Sequence, residues 1–454
     1  MEQNETSASS PTVLRRAVAS SFLGTAIEWY DFFIFSTAAA LVFGSAFFPT
    51  GDATTQTLLA FATLGIGFLA RPLGGIIAGH LGDRIGRKST LVLTLTLMGV
   101  STAAIGVLPT YDQVGMLAPV LLVVLRLLQG FSAGGEWAGA ALMAVEHAPR
   151  RSRGMWGSIV QSGTPFGLIL ASLVFLAVQL GVGAEAFVEW GWRIPFLISV
   201  VLLGVAMYIR LRVAESPVFA RVAGAKPTKA PILRVLRERP RQLAIAALTF
   251  VGCNAIGYVF LSFLLSYGTG TLGLDRSFML VLSLVGAAVW VVSNVIGGVL
   301  ADRIGRRMTY LLGYALFIIW SFPFFALIDS RDPALMVIAV VTLCIAIGVT
   351  FGPQCALFAE LFPPAFRYSG ASLATAIGSV LGGAFAPVIA TALFAETSSV
   401  FAVSAYMVAV AVISFCAVLA VRERELADMR EHDYVSHDEV VPADRSSRTR
   451  GAVA

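Results

Sequence analysis

The stretch GDRIGRK at residues 82–88 returns as ADRIGRR at residues 301–307. Each copy is a short charged turn between two apolar runs. A second pair keeps nearly the same step: EHAPRRSR (146–153) and ELFPPAFR (360–367) share the frame E-x-x-P-x-x-x-R. The steps are 219 residues (82 to 301) and 214 residues (146 to 360). Two duplicated loops at almost equal steps identify one unit used twice along the chain.

Working outward from these turns, runs of roughly the 20 apolar residues needed to cross a bilayer fall near 18–43, 58–81, 90–109, 114–144, 155–179, 191–211, 242–267, 277–301, 308–328, 334–359, 369–394 and 399–421. The composition agrees: 57% of residues are hydrophobic, only 13% are charged, and the mean hydropathy is +0.82. A soluble globular chain does not reach these values. The fold class expected is an all-α membrane protein of twelve transmembrane helices in two pseudo-symmetric six-helix bundles. The expected organisation is an N-terminal tail (1–17), a first bundle (18–211), a linker (212–241), a second bundle (242–421) and a C-terminal tail (422–454). The linker carries Arg221, Lys226, Lys229, Arg234, Arg237 and Arg239.

With both termini on the cytoplasmic side, 27 of the 32 lysines and arginines fall in cytoplasmic segments; Arg193, Arg276 and Arg331 lie outside, and Arg71 and Arg126 within the membrane. This is the charge bias that orients membrane proteins. It also accounts for the net charge of +5, so no nucleic-acid partner is expected; the partners are the lipid bilayer, protons and a small molecule. Cys253, Cys344, Cys355 and Cys416 sit in apolar runs without metal-ligand spacing and read as core thiols. The N-terminal segment has no small-residue cleavage site after its apolar run and reads as a cytoplasmic tail. The tail beyond Val421 reads as a short helix followed by disorder. No nucleotide-binding loop and no nucleophile with its base is present, so an enzyme and an ATP-driven pump are not expected. No cofactor or metal is expected, and the energy source is an ion gradient.

Ionisable residues inside spans are costly and mark function by default. In the first half they are Glu28, Asp31, Arg71, Arg126 and Glu136; the interior of the second half is nearly free of charge. Glu28 and Asp31, three apart on one helix face, titrate in separate steps when close together and suit proton coupling, with Glu136 as a third candidate. Ion pairing with Arg71 or Arg126 is the structural alternative. Arg71 and Arg126 are the candidates for holding a substrate carboxylate, with Gln129 on the face of Arg126. Across the cavity Asn254, Tyr258, Trp290, Asn294 and Gln354 offer hydrogen bonds or rings, or serve only helix packing. His80 and His147 lie near the cytoplasmic face and titrate near neutrality.

The DRxGR turn, together with EWYDFF (28–33), FLARPLGG (68–75), RLLQGFSAGGEWAGA (126–140) and WGWRIPF (190–196) in order on the expected spans, resembles the major facilitator superfamily and, within it, the metabolite:proton symporter family. The run FATLGIGFLARPLGGIIAGHLGDRIGRK and the later RYSGAS are most similar to shikimate transporters. The resemblance implies the two-bundle fold, probable uptake being replaced by a definite expectation: proton-coupled symport of a small polar carboxylate by alternating access in a bacterial inner membrane, by a monomer. It also implies that Asp83, Arg84, Arg87, Lys88, Glu146, Arg153, Asp302, Arg303, Arg306, Arg307, Glu360 and Arg367 form a cytoplasmic gate. A proline/betaine-type symporter, a proton-driven exporter (for which SGTPFG, 162–167, is a partial motif) and a non-transporting sensor are the alternatives.

Overall fold

The computed structural model describes residues 11–85, 87–135, 142, 144–145, 148–212, 231–363 and 367–422, and these contain helices and no strand. Twelve apolar helices follow one another: α1 (Val18–Phe47), α2 (Ala53–Ile77), α3 (Val92–Gly106), α4 (Leu117–Ser132), α5 (Arg153–Val182), α6 (Gly191–Tyr208), α7 (Pro240–Thr271), α8 (Arg276–Ile304), α9 (Arg306–Asp329), α10 (Pro333–Leu361), α11 (Arg367–Thr397) and α12 (Val400–Leu419). Ten of these are long and apolar enough to cross a membrane, and α3 and α4 are the shorter pair. Every expected run contains one of them.

Exposure runs opposite to that of a soluble protein. Leu73 is 61% exposed and Leu180 69%, while Arg126 is 0% and Asp31 3%. Charge faces inward and leucine outward, as lipid demands. Of the four thiols, Cys253, Cys344 and Cys355 are buried, but Cys416 is exposed, so it is not a core thiol: on α12 a small apolar side chain is as stable against lipid as in the interior.

Two features set the interior. The first is a glycine seam between α2 and α4. A Cβ on Gly130 would stand 2.0 Å from the Gly67 carbonyl oxygen, and one on Gly74 would stand 1.8 Å from that of Phe131. Only hydrogen fits there, so the two backbones touch. The same contact explains why α4 ends earlier than its apolar run to residue 144 predicts. Gly134, against the Arg71 carbonyl, sits in a 3-10 turn at Ala133–Gly135.

The second is a set of π-turns, at Ala39–Phe43 in α1, Val259–Phe263 and Tyr267–Thr271 in α7, and Val380–Ala384 in α11. Such turns are rare and concentrate at functional positions. Those of α1 and α7 face each other near the end of the molecule opposite the DRIGRR turn, where the hydroxyls of Ser36 and Ser262 lie 2.7 Å apart.

Candidate functional site

The EWYDFF stretch is the middle of α1, and its aromatic residues explain its charges. Arg71, from α2, places its Cζ 4.0 Å from the ring centre of Phe32, 4.6 Å from Phe68 and 5.5 Å from Trp29. Arg126, from α4, places its Cζ 4.1 Å from Phe35 and 4.8 Å from Phe32. Two guanidinium groups thus share one phenyl ring. With water excluded, each ring face stabilises a cation by about 2 kcal/mol, which partly replaces lost hydration. The Nε and Nη2 of both arginines have no hydrogen-bond partner among the described residues. Donors held by rings and left unsatisfied are a receptor for an anion.

Asp31 does not pair with Arg71 as the structural alternative required. Its Oδ2 accepts a hydrogen bond from Thr102 of α3 at 3.1 Å, and no ion pair joins it to an arginine among the described residues. The rings around both guanidinium groups take the place of that pair. Gln129 donates to Thr102 at 2.8 Å and accepts from Arg126 at 2.5 Å. Asp31 and Arg126 are therefore joined through two neutral side chains.

A cavity lies beside this cluster and spans both halves of the chain. Glu28, Trp29 and Arg71 line it on one side, and Ser372, Thr375 and Ser379 of α11 on the other; Gln161, Phe250 and Phe351 also face it. Its first wall is ionic and aromatic, its second hydroxylated and neutral.

The second-half candidates are placed differently. Tyr258 meets Phe68 edge to face at 5.2 Å, and its hydroxyl has no hydrogen-bond partner among the described residues. Asn254 donates to the Ser379 carbonyl at 3.5 Å, a long contact. Trp290 packs edge-on against Phe351 at 5.5 Å. Asn294 donates to Ser162 at 3.3 Å, and Gln354 accepts from Gln161 at 3.1 Å. These last two bond across to α5 and join the halves instead of lining the cavity.

Toward the DRIGRR turn the halves are locked. Asp302, on α8, accepts from the backbone N–H groups of Gly154 and Met155, both at 2.9 Å. A carboxylate there caps the first turn of α5 and meets its positive dipole end. Arg306 bridges Asp302 at 3.2 Å and Glu360 at 3.1 Å. Arg153 stands within electrostatic range of Glu360. Glycine again permits the crossing: a Cβ on Gly298 would lie 2.2 Å from the Ser158 hydroxyl. Arg307 and Arg367 instead donate to carbonyls, of Leu419 at 3.0 Å and Phe362 at 3.2 Å, and Arg303 is exposed. At the opposite end α1 meets α7 through Ser36 and Ser262, and α2 meets α11, where a Cβ on Gly65 would lie 2.7 Å from the Ala384 carbonyl. Glu136, Glu146 and His147, and the side chains of His80, Asp83, Arg84, Arg87 and Lys88, lie outside the described residues.

Sequence reasoning missed the ring cradle, the hydroxyls of α11 and Thr102. The run of aromatics around Glu28 and Asp31 was the available signal for the cradle. Nothing distinguished Thr102 from the other threonines of its span.

The model of the Major Facilitator Superfamily matches residues 21–380 and 291–436. The chain is 40% identical to the inner membrane metabolite transport protein YhjE of Escherichia coli K12, over 90% of this chain and 94% of that protein. It is 39% identical to the shikimate transporter of the same organism (91% and 95%) and 32% identical to its proline/betaine transporter (90% and 84%). The solved structure of the proton:xylose symporter XylE of E. coli superposes with a TM-score of 0.71 at 17% identity, covering 90% of this chain and 95% of that one.

Proposed function

The chain belongs to the major facilitator superfamily, a family of multi-pass transporters and not of enzymes, and on that premise we propose that it is a proton-coupled symporter taking up a small carboxylated metabolite, such as shikimate or a dicarboxylate. The observation that carries this reading is Arg71: a buried cation in a cage of three rings, with two hydrogen-bond donors unsatisfied, on the wall of a cavity between the halves. A carboxylate satisfies both donors at once. The hydroxyls of Ser372, Thr375 and Ser379 hold the polar remainder of the substrate. Asp31 takes up the proton, with Glu28 beside the substrate, and Arg126 and Gln129 complete the charged cluster.

Both ends of the site carry contacts between the halves, which supports an occluded state of an alternating-access cycle. The end with the DRIGRR turn is the cytoplasmic one, as are both termini. Asp302, Arg306, Glu360 and Arg153 form the inner gate, with the corresponding first-half turn (Asp83, Arg84, Arg87, Lys88, Glu146) and Arg303 and Arg367. The protein works as a monomer, with the proton gradient as its only energy source and no cofactor. A zwitterion such as proline or betaine is the second reading, favoured by one observation: Glu28 lies on the same wall as Arg71 and can face a substrate cation.

The test is accumulation in proteoliposomes under an imposed inward proton gradient, with shikimate, a dicarboxylate, 2-oxoglutarate, proline and glycine betaine as a panel. Accumulation abolished by a protonophore supports symport and separates acid from zwitterion. Accumulation without a gradient, or proton-driven efflux, overturns it.

A further inference from the structure

We propose that Thr102 is a hydroxyl switch that reports the protonation of Asp31 to Arg126. The proposal rests on Asp31 being the proton acceptor. Thr102, Gln129 and Arg126 are each 0% exposed, and Asp31 is 3% exposed. Their bonds form one chain with every donor pointing the same way: Arg126 to Gln129, Gln129 to Thr102, Thr102 to Asp31. The direction is that of a cation joined to a carboxylate through neutral groups, each polarising the next.

The switch lies in the threonine hydroxyl. It has one hydrogen and two lone pairs. One lone pair accepts from Gln129. The hydrogen has two acceptors in range, Asp31 Oδ2 at 3.1 Å and the Met98 carbonyl at 2.9 Å, and serves one at a time. With Asp31 ionised, the hydrogen points to the carboxylate and the chain runs unbroken from Arg126. When Asp31 carries a proton it becomes the donor, the threonine hydrogen turns to the Met98 carbonyl, and Thr102 accepts from both sides. The polarised chain then ends at Thr102, and Arg126 is no longer tied to a negative charge. Binding a proton thereby readies the arginine for an anion without moving the backbone. Thr102 and Gln129 are positioning residues, since neither takes the proton.

The test needs no substrate. A hydrophobic carbodiimide reacts with carboxyl groups in membranes in their protonated form, and mass spectrometry of the peptide carrying Asp31 and Glu28 locates the adduct. In the full chain in liposomes, Asp31 labelling is measured from about pH 5 to 9 for the parent, Thr102→Val, Thr102→Ser and Gln129→Leu. The expected result is that labelling persists to higher pH by about one unit in Thr102→Val, because the ionised carboxylate has lost a donor. Thr102→Ser restores the parent profile. Gln129→Leu moves it in the same direction by a smaller amount, although Gln129 does not touch Asp31. An unchanged profile in Thr102→Val overturns the proposal, as does failure of serine to restore it or an unmoved profile in Gln129→Leu. A parent Asp31 that takes no label across this range overturns it together with the assignment of the proton to Asp31. Failure of the transport assay with this labelling pattern intact would refute symport of the panel substrates and leave the switch standing.

Discussion

The interiors of the two halves are built on opposite principles. In the second half, polar groups satisfy one another: Ser414 accepts from the Gly252 N–H and donates to the Leu248 carbonyl, while Tyr314 accepts from the Cys253 N–H and donates to the Thr249 carbonyl. Such bonds fix helices side by side and leave little over. In the first half, Arg71 and Arg126 keep unsatisfied donors, and Asp31 keeps an unsatisfied Oδ1 among the described residues. A duplicated frame thus carries divided chemistry. The stabilised half supplies a firm, hydroxylated wall, and the unsatisfied half supplies the groups that respond to ligand and proton.

That contrast is broken most severely at Asp31. Asp31→Asn removes the titrating oxygen while keeping a similar shape. The expected outcome is loss of gradient-driven accumulation with substrate exchange retained, read by comparing uptake under a proton gradient with counterflow at equal pH. Arg71→Ala removes the receptor itself, and leaving a buried anion unpaired costs about 2–5 kcal/mol. Substrate affinity is expected to fall by more than thirtyfold, measured by protection against thermal unfolding.

Next in size is the lock that joins the halves. Asp302→Asn removes the charge that faces the first turn of α5 and Arg306. Charge-assisted bonds of this kind contribute about 1.5–3 kcal/mol. Opening of the inner end is expected to rise about tenfold, seen as faster maleimide labelling of Cys355 in a variant retaining that thiol alone. Cys355 is buried, with its Sγ 3.6 Å from Gln161 across the interface. The smallest effect belongs to the hydroxylated wall. Ser379→Ala is expected to raise KM about threefold with the maximal rate unchanged, since a neutral hydrogen bond contributes about 1 kcal/mol. A loss at Ser379 as large as that at Arg71 would erase the division between the halves.

How much of this was legible depended on range. The twelve helices followed from apolar runs, because lipid acts on each segment separately. The repeat followed from DRIGRK and DRIGRR, because identical turns need no tertiary knowledge to recognise. Arg71, Arg126, Glu28 and Asp31 stood out because charge in a membrane span is rare. What the charges contact was not legible. Asp31 was expected to face an arginine, yet its partner is Thr102, two helices away in sequence, and threonine in a span is too common to mark. Asn294 and Gln354 were singled out as polar, but their bonds to Ser162 and Gln161 depend on how α5 crosses α8 and α10. That crossing is set by glycines such as Gly298, whose meaning appears only with the neighbouring helix in place.

The paired π-turns carry one more implication, about ancestry. A π-turn is an α-turn with one residue added, and Ala39–Phe43 and Val259–Phe263 lie 220 residues apart (39 to 259), within one residue of the step between the DRIGRK and DRIGRR turns. An insertion at the same place in both halves is most simply inherited from a single ancestral bundle that already contained it. Each half still depends on it. Deleting one residue from the turn in α1 would restore the α-helix and rotate everything beyond by about 100°. Phe43, now 5.4 Å from Trp192, would swing away from the ring it packs against.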